Sequence, residues 1–242
     1  MQIDSLALRM RPRAPLEAAD LGVRLCQSTA RQVYLCYGVV ALPVIALSLA
    51  SFEIASWLPT VAIWWTKPWM DRTILFVLSR AAFGQGTTLG DLWLAQRRVW
   101  WSHLLSSLTL RRLSPWRSFT QPVHQLEGLP VLKARQRVLQ IRRGRTRPAF
   151  LMTSAFSTAE QLLTVAVLSL IFWFMPGQLS VASFFSTQTS ELLQLPTDIA
   201  YACVVLFLEP FYVAAGFAMY LNRRAQLEAW DIEQELRRAF SE

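Results

Sequence analysis

Residues 54–66 form an apolar run of 13 that ends in Lys67-Pro68-Trp69-Met70-Asp71-Arg72 and then resumes as far as residue 83. In a helix rising about 1.5 Å per residue, such a run covers only about 20 Å of a hydrocarbon core about 30 Å thick. A helix that crosses here must carry its charges with it. Residues 54–83 are therefore expected to form one element, kinked or broken before Pro68, which has no N–H and crowds the preceding turn. Asp71 and Arg72 then fall in or near the inner leaflet. Lys67, Arg72 and Arg80 either snorkel to the headgroups or join a buried charge pair that fixes helix packing or lines a cavity.

The rest of the chain agrees with a membrane setting. Charged residues make up 17% of the 242, against about a quarter in an ordinary soluble domain. The ten tryptophans add interfacial anchors. Net charge is +8 and rests almost wholly on arginine. Its distribution matters more than its size: between residues 67 and 147 there are 15 Lys and Arg against three acids, Asp71, Asp91 and Glu127. The positive-inside rule places that segment in the cytoplasm. Nucleic-acid binding is not expected, since no RNP, zinc or helix-turn-helix pattern accompanies the arginines.

The first 20 residues mix charges and lead to no short apolar core with a cleavage site, so the first apolar run is expected to be retained as a span. Residues 15–32 look like an amphipathic helix on the inner membrane surface, with Leu16, Ala19, Val23, Cys26 and Ala30 near one face. Residues 33–50 just span the core, with Pro43 expected to kink them. Gly84-Gln85-Gly86 breaks the second span, and Thr87 or Thr88 can cap the helix that follows. That helix, 89–113, has Arg97-Arg98 near its middle, which favours an in-plane or re-entrant course over a true span. Residues 111–122 have loop chemistry. Residues 126–143 and the tail 225–240 are further amphipathic patterns. Residues 149–175 form the clearest span, and Pro196-Thr197 open the last, 196–222, with Asp198 expected at its outer interface.

Only helices satisfy their backbone in lipid without partners. The chain thus reads as all-α, a polytopic integral membrane helix bundle in one membrane domain. It has a cytoplasmic basic segment at 84–148 and a cytoplasmic tail at 223–242. Four spans are expected (33–50, 54–83, 149–175 and 196–222), and six is the alternative. Both termini are expected inside.

No catalytic pattern stands out. There is no GxSxG, HExxH or phosphate-binding loop, and His103 and His124 are the only histidines. Cys26, Cys36 and Cys203 form no CxxC and read as free thiols. Neither metal nor cofactor is expected. The candidates are the intramembrane charges, Lys67, Asp71, Arg72, Arg80, Glu160 and Glu209, because such groups face a bundle interior and mark pathways or structural pairs. In the structural version Glu209 or Glu160 pairs with Arg72 or Arg80. In the functional version the acids line a proton- or substrate-coupled path. Arg97, Arg98, Arg111, Arg112, Arg117, Arg142 and Arg143 are the candidates for docking anionic lipid headgroups or an acidic partner.

Three phrases, WWTKPWMDRTILFVLSRAAFG, LTLRRLSPWRSFTQPVHQLEG and EPFYVAAGFAMYLNRRAQLEAWDIE, resemble an uncharacterised family of bacterial inner-membrane proteins. Its members are encoded beside a MoxR-type AAA+ ATPase, von Willebrand factor A proteins and a transglutaminase-like membrane protein. The likeness covers residues 15–238. A fainter one, in helix order only, is to the membrane domain of some glycerophosphodiester phosphodiesterases. The first resemblance implies a partner in a multi-component system and brings no activity with it. The expectation is a non-enzymatic inner-membrane subunit or scaffold, with a small transporter or channel-like protein as the alternative and a membrane lipid enzyme the least favoured.

Overall fold

A computed structural model describes residues 13–101, 114–173 and 187–228. All regular structure among them is helical. Helix α1 (Pro15–Ser28) is followed by α2 (Ala30–Ala50), a 3-10 turn (Ser51–Glu53), α3 (Leu58–Ala81) and α4 (Leu89–Leu94). After a π-type turn (Arg97–Trp101) come α5 (Arg117–Leu126), α6 (Val131–Arg142), α7 (Thr146–Trp173) and α8 (Thr187–Glu228).

The bundle is built around α8. Its 42 residues extend about 63 Å, twice the hydrocarbon thickness. Helices α1, α2, α3, α5, α6 and α7 all pack against it. From Tyr212 to Leu221 every residue is buried, so this stretch is enclosed on all sides. Small side chains make the enclosure possible. A Cβ on Gly22 of α1 would lie 2.2 Å from the Ala214 carbonyl oxygen, and one on Gly216 would lie 2.4 Å from Ser118 of α5. Both helices thus approach α8 as closely as backbones allow.

Helices α1 and α2 run antiparallel to α8. Arg13 and Asn222 exchange hydrogen bonds of 3.1 and 3.0 Å, Gly22 meets Ala214, and the Tyr34 hydroxyl donates to the Phe207 carbonyl at 2.7 Å. Helix α1 is two-faced, but the buried face is shifted from the expected one: Ala19 and Cys26 belong to it, whereas Leu16 is exposed and Val23 and Ala30 are only partly buried. The buried face covers α8 with Ala18, Ala19, Gly22, Leu25 and Cys26.

Among the described residues, three helical stretches are long and apolar enough to cross a membrane, Ala30–Glu53, Thr146–Leu170 and Gln194–Glu228. Four were expected. The second expected span, now α3, is not one of them, and it carries Lys67, Asp71, Arg72 and Arg80. It starts at Leu58, with Pro59 in its first turn, and continues through Pro68 as one helix rather than breaking. The last span does not open at Pro196. A helix already runs from Thr187 and holds both Pro196 and Pro210 inside it. Asp198, expected at an interface, is buried and accepts a hydrogen bond from Thr60 of α3.

The basic segment departs most from expectation. Of the helix expected over 89–113, Leu89–Leu94 is α-helix, started on a reciprocal cap between Thr88 and Asp91, and Arg97–Trp101 follows as a π-type turn. Residues 102–113 lie outside the described part. The loop expected up to Pro122 is instead helix from Arg117 onwards, wedged between α3 and α8. Its Gln121 and Gln125 amides donate to the Pro68 and Arg72 carbonyls of α3 at 3.4 and 2.7 Å. Gly128, at φ +61°, ends this wedge, and α6 begins only at Val131. The expected tail helix, 225–240, is the end of α8 as far as Glu228, and the remainder lies outside the described residues. Cys26 and Cys36 are buried free thiols and Cys203 is an exposed one.

The close approach at Gly22 predicts that Gly22→Ala unfolds more easily, by about 1–3 kcal/mol of overpacking, in a denaturant titration of the purified protein in micelles. Gly38→Ala, whose Cβ would meet nothing within 4 Å, should gain up to about 1 kcal/mol from helix propensity alone.

Candidate functional site: a buried charge cluster

Lys67 and Asp71 are four residues apart, so α3 presents them on one face, toward α8. There they meet Glu209 of α8, Glu160 of α7 and Arg117, the first residue of α5. The contacts form a chain of alternating sign. Glu160 Oε2 lies 2.6 Å from Lys67 Nζ, which lies 2.9 Å from Glu209 Oε2. Glu209 Oε1 lies 2.7 Å from Arg117 Nη2, which lies 3.1 Å from Asp71 Oδ2. Each cation also stands over an aromatic ring, Lys67 at 5.7 Å from the centroid of Tyr201 and Arg117 at 5.4 Å from that of Tyr212. Such ring faces attract cations, the more so away from water.

Four helices thus supply one cluster, and burial decides its strength. Asp71 is fully buried and the Glu209 side chain is 2% exposed. A cavity of about 290 Å3 reaches Lys67, Arg117, Glu160 and Glu209, with Trp64 and Tyr212 on its walls. Asp71 lies behind it. Behind it too is Tyr37 of α2, a buried phenol whose oxygen has no hydrogen-bond partner and which feels the charges of Glu209, Asp71 and Glu160.

Of the intramembrane residues singled out in the sequence, Lys67, Asp71, Glu160 and Glu209 come together. The cations that clasp the two glutamates, however, are Lys67 and Arg117, not Arg72 or Arg80. Arg72 is buried with contacts of its own. Arg80 lies nine residues beyond Asp71 on α3, about 14 Å further along, 3.6 Å from Asp91 and donating to the Gly86 carbonyl at 3.2 Å. The Thr88 backbone N–H and hydroxyl, helped by Arg80, hold the Asp91 carboxyl below the usual carboxylate range. The stability this cap adds is present at neutral pH and fades as pH falls through the lowered value.

The expected docking arginines divide. Arg117 belongs to the buried cluster, because α5 carries it inward. Arg142 lies over the Trp116 ring at 3.7 Å. Arg143 and Arg97 are exposed. Arg98 lies in the π-type turn, with only its backbone described, and Arg111 and Arg112 lie outside the described residues. One signal for α5 was present in the sequence: Phe119, Pro122, Val123 and Leu126 repeat at helical spacing. Pro122 and the neighbouring arginines made it read as loop.

Together these features define a helix bundle of membrane type with an ion-pair cluster at its centre. No family model matches the chain, and neither a curated protein nor a solved structure is detectably similar to it.

Removing the central anion takes from Lys67 and Arg117 the buried partner they share and leaves each with a single acid, Glu160 and Asp71. Glu209→Gln is expected to cost about 3–5 kcal/mol in reversible unfolding. Glu17→Gln breaks only the exposed pair with Arg13 and should cost less than about 1 kcal/mol.

Proposed function

We propose that the protein is a non-enzymatic, multi-pass subunit of the bacterial inner membrane that docks an acidic cytoplasmic partner through its basic segment. The observation that carries this reading is the outer face of α6. Leu132 and Leu139 are 76% and 59% exposed, beside exposed Lys133 and Arg135. The same helix buries Ala134 and Ile141. Apolar anchors ringed by cations suit a partner surface with acidic groups around apolar pockets. The family resemblance of the sequence makes an AAA+ ATPase of the MoxR type the first partner to try, and anionic headgroups the natural contact of the arginines nearest the membrane.

In this reading α3 is the fourth span. Its 24 residues extend about 36 Å, enough to cross, and its charges turn inward to the cluster rather than to lipid. Both termini lie on the cytoplasmic side, with α6 and the arginines around residues 142–147.

Affinity capture from native membranes tests the docking reading: an ATPase or transglutaminase-like partner should come with the native protein. Leu132→Ser together with Leu139→Ser should lower that recovery at least about tenfold, the equivalent of about 1.4 kcal/mol of contact energy. Folding should be unaffected, as is usual for exposed positions.

A second reading, a small proton-linked transporter, is favoured by the cavity that reaches Glu160 and Glu209. Against it stands the close pairing of both acids. Glu160 is the residue to vary, since it makes one ion pair and lines the cavity. Glu160→Gln in sealed vesicles should change a proton-linked flux while the protein stays folded. An unchanged flux removes this reading.

A further inference from the structure

The cluster has one carboxylate more than it has cations. Lys67 and Arg117 serve Asp71, Glu160 and Glu209. The surplus falls on Asp71 and Glu209, which share one guanidinium nitrogen, Arg117 Nη2. Glu209 uses both its oxygens, one on Arg117 and one on Lys67. Among the described residues, the cation within ion-pair distance of Asp71 is the Arg117 guanidinium, at 3.1 Å, and neither Asp71 oxygen receives a well-aligned hydrogen bond. Asp71 is nevertheless 0% exposed.

The other groups around this pair do not remove the surplus. Helix α2 contributes Tyr37, a neutral phenol. Helix α7 contributes Glu160, another acid. Helix α8 adds the rings of Tyr201 and Tyr212, which serve Lys67 and Arg117. The charges acting most strongly on Asp71 are those of Arg117, Glu209 and Lys67. Arg72, next along α3, is buried with contacts of its own. An unmatched negative charge in such a place costs several kcal/mol, and two carboxylates sharing one site do not both stay ionised. A positive charge from outside the chain would remove the cost. Among the described residues no three acidic, histidine or cysteine side chains are grouped as ligands of a metal ion. The counter-charge that fits is a proton.

We propose that Asp71 and Glu209 together bind one exchangeable proton, which enters through the cavity at Glu209. Uptake makes one O–H bond on the acid pair and breaks one in a hydronium ion of the cavity water. Release is the reverse. A cavity of about 290 Å3 with carboxylates, a lysine and an arginine on its wall has both the room and the polar partners that water needs. The inference deepens the transporter reading by naming its coupling ion, but a bound proton does not require any flux.

Infrared spectroscopy of the full-length protein in lipid vesicles reads this directly. At neutral pH the native protein should show the carbonyl band of a protonated carboxylic acid, shifting on exchange into D2O. Asp71→Asn should remove the band, and Glu17→Gln should leave it. Because asparagine is the near-isostere of a protonated aspartic acid, Asp71→Asn should also keep the native unfolding temperature, whereas Glu209→Gln unfolds at least several degrees lower. The proposal is overturned if the native protein lacks the band, if Asp71→Asn fails to fold, or if the band survives both Asp71→Asn and Glu209→Gln. It is equally overturned if replacing choline chloride by sodium or potassium chloride abolishes the band, which would make the counter-charge a metal cation. A band without any proton-linked flux keeps the proton site and removes the transporter reading alone.

Discussion

A charged side chain inside an apolar bundle is stable only at contact distance from its opposite, because removing an ion from water costs more than burial of the same area gains. That constraint fixes how α3, α5, α7 and α8 stand relative to one another. Helix α7 packs on α8, and the link from α7 to α3 at this level is the Lys67–Glu160 pair. Helix α5 is held at one end by Arg117 on Asp71 and Glu209. Sliding any of the four by a single turn, about 5.4 Å, would separate pairs now 2.6–3.1 Å apart. Apolar packing in lipid has no comparable sense of register, since lipid tails are as apolar as leucine.

The small residues of α8 complete the arrangement from the other direction. Charges set register, but helices must come close for the pairs to form. Gly216 admits Ser118, and this contact brings the start of α5 near enough for Arg117 to reach Glu209, about two turns away along α8. At the far end of α5, Glu127 accepts from the Tyr220 hydroxyl at 2.6 Å and from Arg137 Nε at 3.2 Å. The wedge is thus tied to α8 at both ends, by the Arg117–Glu209 ion pair at one and the hydrogen bond of buried Tyr220 to Glu127 at the other.

Much of this is legible in the sequence, for identifiable reasons. Length against bilayer thickness showed that the charged stretch after residue 66 had to stay in the helix, and it does. The rarity of acids in apolar runs pointed to Glu160 and Glu209, which sit in the cluster. Charge spacing could not choose their cations, because pairing depends on tertiary distance. Lys67 and Arg72 both look available on α3, yet the face holding Asp71 and Lys67 turns to α8. Arg117 was hidden for a different reason. Proline and arginine usually mark exposed loops, and only a glycine almost a hundred residues later makes room for helix there. The number of spans is ambiguous on the same physical ground: α3 is long enough to cross a membrane, but its four charges set it apart from the three apolar helices.

The two ends of the molecule are joined through α5. Its first residue enters the charge cluster, and the residue that follows its last turn, Glu127, is gripped by Arg137 of α6, which also pairs with Glu228. A partner seated on the exposed leucines of α6 would therefore press on the helix that carries Arg117. Whether that pressure reaches the cluster is a matter of relative strength. The Glu127–Arg137 and Arg137–Glu228 pairs keep some exposure, 21% at Arg137 and 27% at Glu228, so solvent screens them more than the Arg117 pairs. The Arg117 pairs are buried and cost several kcal/mol to break. Under load the joint at Glu127 yields first, and the cluster keeps its geometry. Passing a signal from α6 to the acids would require a second stable arrangement of α5, because coupling needs an element with two states. Helix α5 is thus held more firmly at Arg117 than at Glu127.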